Sequence, residues 1–388
     1  MIRWIMIAVG AMGVFCGAVA MGQGEPARRP GLSVRDGSLI RDGRPYRGVG
    51  ANYYDLLLRL LRDPADRSSL EGLARLSEAG IPFVRFAGPY SVKEWEWCFE
   101  GREDYLRRLD MVVQAAERAR IGLIPSMFWT PVLPDTVGEQ RDQWGNPESK
   151  TMARMRQHVA DVVHRYKDSP AIWAWEFGNE FNLAVDLPNA PQFRRKGGTE
   201  RDDLKSEHMV VALSEFAKEV RRHDGWRAVF SGHSHPRPSA WHNTRERSWK
   251  PDNREQFRQI ILRDNPAPLD TIGVHVYGGR PVEEEMSAWT NDRAEWFRTL
   301  KAIARESGRP VFVGEFGLAA SEDKTAARAI FEELISSMEQ AGVDLAAFWV
   351  FDLPAQNGTW NVTFDNDRAW MIELTAQANR RWNRAALE

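Results

Sequence analysis

Short apolar runs recur along the chain, their starting positions 35 to 56 residues apart, and each leads into a longer amphipathic stretch. The runs are four to eight residues long and rich in Val, Ile, Phe and Trp, which is typical of buried strands. We therefore predict eight strands, each followed by a helix. The runs lie at 46–52, 83–86, 122–127, 172–179, 228–232, 271–277, 311–315 and 346–351.

The stretches between the runs carry apolar residues at three- and four-residue steps, which predicts helices over 105–119, 152–166 and 325–341 among others. Eight strand–helix units predict an α/β fold, a closed (β/α)₈ barrel. The alternative is a doubly wound open sheet, but no glycine-rich phosphate loop follows the first run. In a barrel, the chemistry is expected at the carboxyl ends of the strands.

A small β-hairpin is predicted ahead of the barrel. Two Asp-Gly pairs, at Asp36-Gly37 and Asp42-Gly43, flank the run 38–41. Asp-Gly favours the tight turns that join antiparallel strands.

Composition excludes several classes of protein. The 388 residues include 52 basic and 54 acidic ones, a formal net charge of −2, and no basic stripe, so a nucleic-acid partner is not expected. Heptad repeats and low-complexity segments are also missing from the sequence, as is any Pro- or Ser-rich linker. We expect residues 23–388 to form a single domain. The oligomeric state stays open.

The amino terminus resembles an export signal. Arg3 precedes an apolar run over 4–20, and the small residues Ala18 and Ala20 suit a signal peptidase. We predict that 1–22 is a signal peptide and that the protein is secreted or periplasmic. An uncleaved anchor is the alternative, but 17 residues interrupted by three glycines are short for a membrane span, so no stable span is expected after processing. Removal of Cys16 with the leader would leave Cys98 as the one cysteine.

Polar and aromatic residues cluster where the predicted strands end. Two carboxylates at the ends of different strands are the minimum equipment for cleaving a glycosidic bond, because one donates a proton to the leaving oxygen while the other attacks or stabilises the sugar. Charge-assisted hydrogen bonds from a neighbouring Arg and Tyr would keep the second carboxylate ionised. The candidates are Arg85, Asn179, Glu180, His275, Tyr277, Glu315 and Trp349.

These residues, in this order and each at the end of its strand, resemble the signature of the clan of retaining (β/α)₈ glycoside hydrolases. Within the clan the chain is most similar to the cellulase family, glycoside hydrolase family 5, including its β-mannanases. The stretch 42–54 also resembles a mannanase-type first strand, and the resemblance extends over 38–382. It departs from the family at Phe181, where many members have Pro, and at Phe128-Trp129, where a His is usual.

The resemblance implies roles for the candidates. Glu180 would be the acid/base and Glu315 the nucleophile, with retention of anomeric configuration and without a metal or cofactor. Arg85, Asn179, His275, Tyr277 and Trp349 would bind substrate. The expected substrate is a β-1,4-linked glycan, either β-mannan or a cellulose-like β-glucan. Glu176 lies on the same strand face as Glu180 but one layer deeper, and we interpret it as structural.

Two other functions stay open. One is a catalytically silent carbohydrate-binding barrel, and the other is a metal-dependent hydrolase that uses His233 and His235. Loop tryptophans add a weaker indication of a sugar-binding cleft, because indole faces pack well against sugar rings. We expect about half of these to line the cleft: Trp95, Trp97, Trp129, Trp144, Trp241, Trp249, Trp289 and Trp360.

Overall fold

Eight parallel strands form the centre of the molecule, one for each predicted run. The computed structural model describes residues 29–385, so the predicted signal peptide lies outside the described residues. A small sheet comes first, made of β1 (Ser33–Arg35), β2 (Ser38–Arg41) and β3 (Arg44–Pro45). The barrel strands are β4 (Gly48–Asn52), β5 (Phe83–Ala87), β6 (Gly122–Phe128), β7 (Trp175–Gly178), β8 (Val229–Phe230), β9 (Ile272–Tyr277), β10 (Val311–Gly317) and β11 (Leu345–Phe348).

The strands pair in parallel in the order β8-β7-β6-β5-β4-β11-β10-β9, which leaves a seam between β8 and β9. Side chains bridge this seam. The Asn265 side-chain oxygen accepts hydrogen bonds from the Ser231 hydroxyl at 2.7 Å and from the Gly273 amide at 2.9 Å. The Val229 amide donates to the Asp270 carboxylate at 2.7 Å. The sheet is thus a nearly closed barrel, and the predicted (β/α)₈ fold is confirmed.

Helices cover the outside of the barrel. The three helices predicted over 105–119, 152–166 and 325–341 are confirmed, each beginning one to three residues earlier than predicted. In the described part of the chain, no helix is both long and apolar enough to cross a bilayer. The helices are α1 (Leu56–Arg62), α2 (Ser68–Glu78), α3 (Val92–Glu100), α4 (Arg102–Ala119), α5 (Lys150–Tyr166), α6 (Ser206–His223), α7 (Ala240–Glu246), α8 (Arg254–Asp264), α9 (Val282–Glu285), α10 (Arg293–Glu306), α11 (Lys324–Ala341) and α12 (Trp370–Ala385).

The amino ends of the barrel strands are closed by the small sheet, which has three strands because both Asp-Gly pairs form turns. Asp36 and Gly37 have φ of 52° and 71°, the left-handed region that such turns require. The segment before β1 joins the closure, since the Leu32 amide donates to the Trp173 carbonyl at 2.7 Å. We call this end the barrel floor. Its buried side chains are Leu32, Leu39, Phe83, Ile124, Trp173, Phe230, Phe312 and Leu345.

Candidate active site

The carboxyl ends of the strands, opposite the barrel floor, bring all seven predicted site residues together. Five of them line a cleft of about 1010 Å³: Asn179, Glu180, Tyr277, Glu315 and Trp349. The other two, Arg85 on β5 and His275 on β9, are fully buried and contact the two glutamates from within the barrel. Parallel strands end at one edge, so residues far apart in sequence converge there.

Glu315, on β10, is almost completely enclosed, with 3% of its surface exposed. One of its carboxylate oxygens, Oε1, accepts a hydrogen bond from Arg85 Nη1 at 2.7 Å, and Oε2 accepts one from the Tyr277 hydroxyl. Burial and the neighbouring Glu315 charge raise the pKa of Tyr277, so its hydroxyl stays protonated and can donate. Each oxygen of the Glu315 carboxylate thus accepts one hydrogen bond, one from a cation and one from a hydroxyl.

Glu180 has a more open environment, with 29% of its side chain exposed. It follows β7 with φ of 52°, a left-handed conformation that is uncommon outside glycine and turns the chain away from the strand. Its Oε1 lies 3.0 Å from His275 Nδ1. Burial lowers the pKa of His275 to about 3, so this ring is neutral and Nδ1 donates one hydrogen bond.

The two glutamates therefore share a site but differ in environment. A carboxylate oxygen of Glu180 and one of Glu315 lie within 4.8 Å of each other. Glu315 is held by a cation and a hydroxyl, whereas Glu180 receives a neutral donor and faces the cleft. Such an arrangement can keep one carboxylate ionised while the other exchanges a proton.

Arg85 forms hydrogen bonds with three residues that the sequence did not predict as its partners. Its Nη2 donates to the Asn179 side-chain oxygen at 3.0 Å and its Nη1 to the Asn52 side-chain oxygen at 3.0 Å. Its Nε donates to Glu176 Oε1 at 2.6 Å. Because the Asn179 oxygen accepts from Arg85, the Asn179 amide nitrogen can donate toward the cleft.

Asn52 was missed as a site residue, although its position at the end of β4 could have indicated it. Its side-chain nitrogen donates to the Gly314 carbonyl at 2.9 Å, the residue before Glu315. Asn52 thus ties the arginine to the backbone of β10, which positions the nucleophile candidate.

Aromatic side chains form one wall of the cleft. Trp349 stacks on Trp129, with ring centroids 6.1 Å apart and an interplanar angle of 24°. Tyr54 packs edge-on against Trp129, with centroids 5.0 Å apart. The Trp349 indole N–H donates to Gln356 at 3.0 Å, and the Trp349–Val350 peptide is cis. Trp129, one of the two residues that the resemblance to the family places where a His is usual, therefore contributes an apolar face to the cleft.

The expectation that about half of the loop tryptophans line the cleft is wrong. Two of the eight, Trp129 and Trp360, do so. Trp95, on α3, and Trp144, in the loop after β6, are fully buried around Phe128 and pack these segments against β6. Trp249 is half exposed, away from the cleft lining.

The cleft extends beyond the two glutamates. It reaches Arg59 on α1, whose guanidinium pairs with Asp55 at 2.9 Å and with Asp352 at 2.8 Å. Tyr277 and Trp360, which line the cleft, also line a second hollow of about 570 Å³.

His233 and His235, the ligands of the metal-dependent alternative, are both buried. Burial lowers the pKa of His233, and His235 Nδ1 lies 2.6 Å from the His275 carbonyl oxygen. Within residues 29–385, the three side chains close enough together to share one ion are Glu180, His275 and Glu315. The proposed His-x-His pair does not belong to that group, so the geometry does not favour this alternative.

A (β/α)₈ barrel that presents two unequal glutamates, with an arginine, a histidine and a tyrosine beneath them, has the architecture of a glycoside hydrolase. A family model described as "Cellulase (glycosyl hydrolase family 5)" matches residues 69–352. The chain belongs to glycosyl hydrolase family 5.

Sequence relatives point to one branch of the family. The chain is 37% identical over 264 residues to a probable mannan endo-1,4-beta-mannosidase F of Neosartorya fischeri, covering 66% of this chain and 51% of that one. It is 28% identical over 180 residues to a probable mannan endo-1,4-beta-mannosidase A of Aspergillus flavus, covering 40% of this chain and 45% of that one. The chain thus spans about half the length of the curated relatives it matches.

Solved structures share the fold. An endo-1,4-beta-mannanase from Rhizomucor miehei superposes with a TM-score of 0.65 at 18% identity, covering 90% of this chain and 99% of that one. A Pseudomonas stutzeri endoglucanase superposes with a TM-score of 0.52 at 14% identity, covering 90% of this chain and 97% of that one. At these identities the likeness establishes the barrel alone.

Proposed function

We propose that this protein is a retaining β-glycoside hydrolase that cleaves β-1,4-linked mannan, with Glu315 as nucleophile and Glu180 as acid/base. The observation that carries the proposal is the pair itself: an oxygen of one carboxylate lies within 4.8 Å of an oxygen of the other, and one carboxylate is enclosed by Arg85 and Tyr277 while the other is open to the cleft. Retaining enzymes hold their carboxyl groups about 5–5.5 Å apart, whereas inverting enzymes need roughly 6.5–9.5 Å to admit a water.

In the first step Glu315 attacks the anomeric carbon, and Glu180 gives its proton to the glycosidic oxygen as that bond breaks. The aglycone leaves, and the sugar stays attached to Glu315 as an ester. Asn179 donates a hydrogen bond to a hydroxyl of the reacting sugar, and the indole of Trp349 packs against the sugar ring.

In the second step Glu180, now ionised, removes a proton from water. The water oxygen attacks the anomeric carbon from the face that the aglycone left, and Glu315 departs as a carboxylate. Two inversions give net retention. His275 stays neutral throughout and keeps Glu180 oriented with its Nδ1–H.

Mannan is the substrate that the sequence relatives favour, since the matched curated relatives are named as mannan endo-1,4-beta-mannosidases. The cleft reaches Arg59 and shares Tyr277 and Trp360 with a second hollow, and this extent supports cleavage within a polymer rather than only at its end. We further propose that residues 1–22 direct export and that the remainder forms one catalytic domain.

The test is an assay of the purified protein on mannan, glucomannan, carboxymethyl cellulose and xylan, with product configuration followed by NMR. Mannan should be the preferred substrate, with β-configured product appearing first. Glu315→Gln should abolish turnover, whereas Glu322→Gln, an exposed glutamate, serves as the matched control.

Other outcomes have definite meanings. Preference for carboxymethyl cellulose would replace mannan by β-glucan, and α-configured first product would contradict retention. Binding of glycans without turnover would favour the silent barrel. Activity that EDTA abolishes and a divalent metal restores would contradict the two-carboxylate mechanism.

A further inference from the structure

Arg85 is shared between two carboxylates inside the barrel. Its Nε donates to Glu176 Oε1 at 2.6 Å and its Nη1 to Glu315 Oε1 at 2.7 Å. Its other contacts are neutral: the side-chain oxygens of Asn52 and Asn179, the Gly178 carbonyl at 3.4 Å and the face of the Trp129 ring. Arg85 and Glu176 are both fully buried, so solvent does not screen this pair.

Residues from four other strands or strand ends surround the carboxylate of Glu176 closely. It faces Arg85 from β5, Ser126 from β6 and Glu315 from β10. Gly232, after β8, has φ of 71°, and a Cβ there would lie 2.8 Å from the Glu176 carboxyl carbon. The same Cβ would lie 1.8 Å from the Gly178 carbonyl oxygen, so a glycine at position 232 allows the backbone to pack against both Gly178 and the Glu176 carboxylate.

The charges of this cluster do not cancel in the free enzyme. One cation faces two carboxylates, and both carboxylates raise the pKa of Arg85 against the opposing effect of burial. Burial raises the pKa of Glu176, which Arg85 opposes. The short hydrogen bond from Nε has the length of a charge-assisted contact, and it favours an ionised Glu176.

The surplus negative charge disappears during the proposed reaction, on which this inference rests. A Glu315 oxygen forms a bond to the anomeric carbon, the bond from that carbon to the glycosidic oxygen breaks, and that oxygen takes the proton of Glu180. Glu315 becomes a neutral ester. Without Glu176, the buried guanidinium of Arg85 would then face no carboxylate, and an unpaired buried charge is strongly unfavourable.

We propose that Glu176 is a positioning residue that acts as the permanent counter-ion of Arg85 through the covalent step. In the free enzyme Glu176 weakens the ion pair between Arg85 and Glu315, because it shares the same guanidinium. Once Glu315 is esterified, Glu176 neutralises the charge of Arg85. Glu176 therefore lowers the barrier to formation of the glycosyl-enzyme more than the barrier to its hydrolysis.

The experiment compares the wild type with Glu176→Gln, which keeps the shape and the acceptor oxygen but removes the charge. Pre-steady-state kinetics with 2,4-dinitrophenyl β-mannobioside separate the burst, which reports glycosylation, from the steady state, which reports hydrolysis of the intermediate. Glu176→Gln should slow the burst on the order of tenfold to a hundredfold and leave hydrolysis unchanged or faster. The pH–rate profile should move to lower pH, because the active site has lost one negative charge.

Two further variants separate this role from mere structural support. Glu176→Asp retains the charge and should keep the wild-type pH profile even at a reduced rate. Asp344→Asn removes a carboxylate from another buried pair, with Lys301 at the barrel floor, and should lower thermal stability while the ratio of the two steps stays as in the wild type. That ratio does not depend on the fraction of folded protein in a sample.

Several results would overturn the inference. A Glu176→Gln enzyme with the wild-type ratio of steps and pH profile would show that Glu176 is neutral or uncoupled. Equal loss of both steps with a lower melting temperature, as for Asp344→Asn, would make Glu176 a fold-supporting residue only. Failure of the wild type to turn over any mannoside would instead contradict the proposed function, and with it this inference.

Discussion

At the barrel floor each buried charge has its own partner, whereas at the cleft one arginine serves two carboxylates. Lys301 pairs with Asp344, and Arg227 pairs with Asp224 at 2.8 Å while its other nitrogens donate to backbone carbonyls. At the cleft Arg85 is shared, and both carboxylates remain buried. At the floor, paired charges stabilise the fold. At the cleft, one carboxylate is in excess over the arginine, and the proposed reaction neutralises a carboxylate. This difference is typical of enzymes, in which active-site residues are often unfavourable for stability.

Glu315→Gln is the strongest test of this difference between the floor and the cleft, and it acts at the cleft. We expect kcat on mannan to fall by a factor on the order of 10⁴ or more, because the variant has no nucleophile. The free energy of unfolding should change little, since Arg85 keeps Glu176 as its ionic partner when Glu315 is replaced by a neutral group. Activity assays measure the change in kcat, and thermal unfolding measures the change in stability. A Glu315→Gln variant that loses both activity and stability would contradict this difference between the cleft and the floor.

Trp173→Ala makes the opposite test at the floor. Trp173 is buried between Phe83 and Tyr46, with ring centroids at 5.5 and 5.4 Å. We expect the free energy of unfolding to fall by about 3–5 kcal/mol, the usual cost of removing a large buried aromatic side chain. Below the unfolding transition kcat should stay within roughly twofold of the wild type, given that additivity holds for distant sites. A large loss of kcat in folded protein would show that the floor also shapes the cleft.

Tyr277→Phe measures how much one hydrogen bond to Glu315 contributes to activity. The variant removes the hydroxyl that donates to Glu315 Oε2. A hydrogen bond to a charged group contributes about 1.5–3 kcal/mol, so kcat should fall roughly tenfold to a hundredfold. Tyr166→Phe is the matched control, because Tyr166 donates to Asp110 at 2.8 Å on the outer helices. A wild-type kcat in Tyr277→Phe would refute the proposed role.

Two buried histidines, one at the cleft and one on the outer helices, predict a smaller effect. Burial lowers the pKa of His158, on α5, and of His275 to about 3, below the ordinary value of 6.5. Both are neutral when folded but take up a proton on unfolding below pH 6.5. Stability should therefore fall as the pH drops from 6.5 toward 3, by up to about 1.4 kcal/mol per pH unit for each histidine.

His158→Gln isolates the contribution of the outer helices. Urea unfolding across pH 4–7 should show a shallower loss of stability than in the wild type, while activity at pH 6.5 is retained. His164→Gln, at an exposed position on the same helix, controls for the loss of a histidine as such. An unchanged slope in His158→Gln would mean that other groups dominate acid unfolding.

Sequence reasoning predicted the strands and the strand-end residues because both follow from local rules. Buried parallel strands read as short apolar runs, and parallel strands must end together. It interpreted Glu176 as structural, since alternation along β7 gives the face of a side chain but not its partner across the barrel. That partner, Arg85, lies 91 residues away in sequence.

The loop tryptophans show a second limit. Trp129 and Trp144 both follow β6, yet Trp129 lines the cleft and Trp144 is buried beneath a loop. The loop forms irregular 3₁₀ turns over Leu133–Val137 and Arg141–Gly145, where no strand or helix period assigns a face to a residue. Which aromatic side chains reach the substrate therefore depends on packing between loops that are distant in sequence.

The anchoring of the segment before β1 determines how the enzyme can be tethered. The Leu32 amide donates a hydrogen bond to the Trp173 carbonyl. Gly31 has φ of 85°, and a Cβ on Gly31 would lie only 2.8 Å from Arg227 Nε and from the Ile172 carbonyl oxygen. The chain thus enters the domain at the face opposite the cleft. A solid support, a fused module or a fluorescent label attached ahead of Gly31 would leave the groove pointing outward, toward an insoluble polysaccharide.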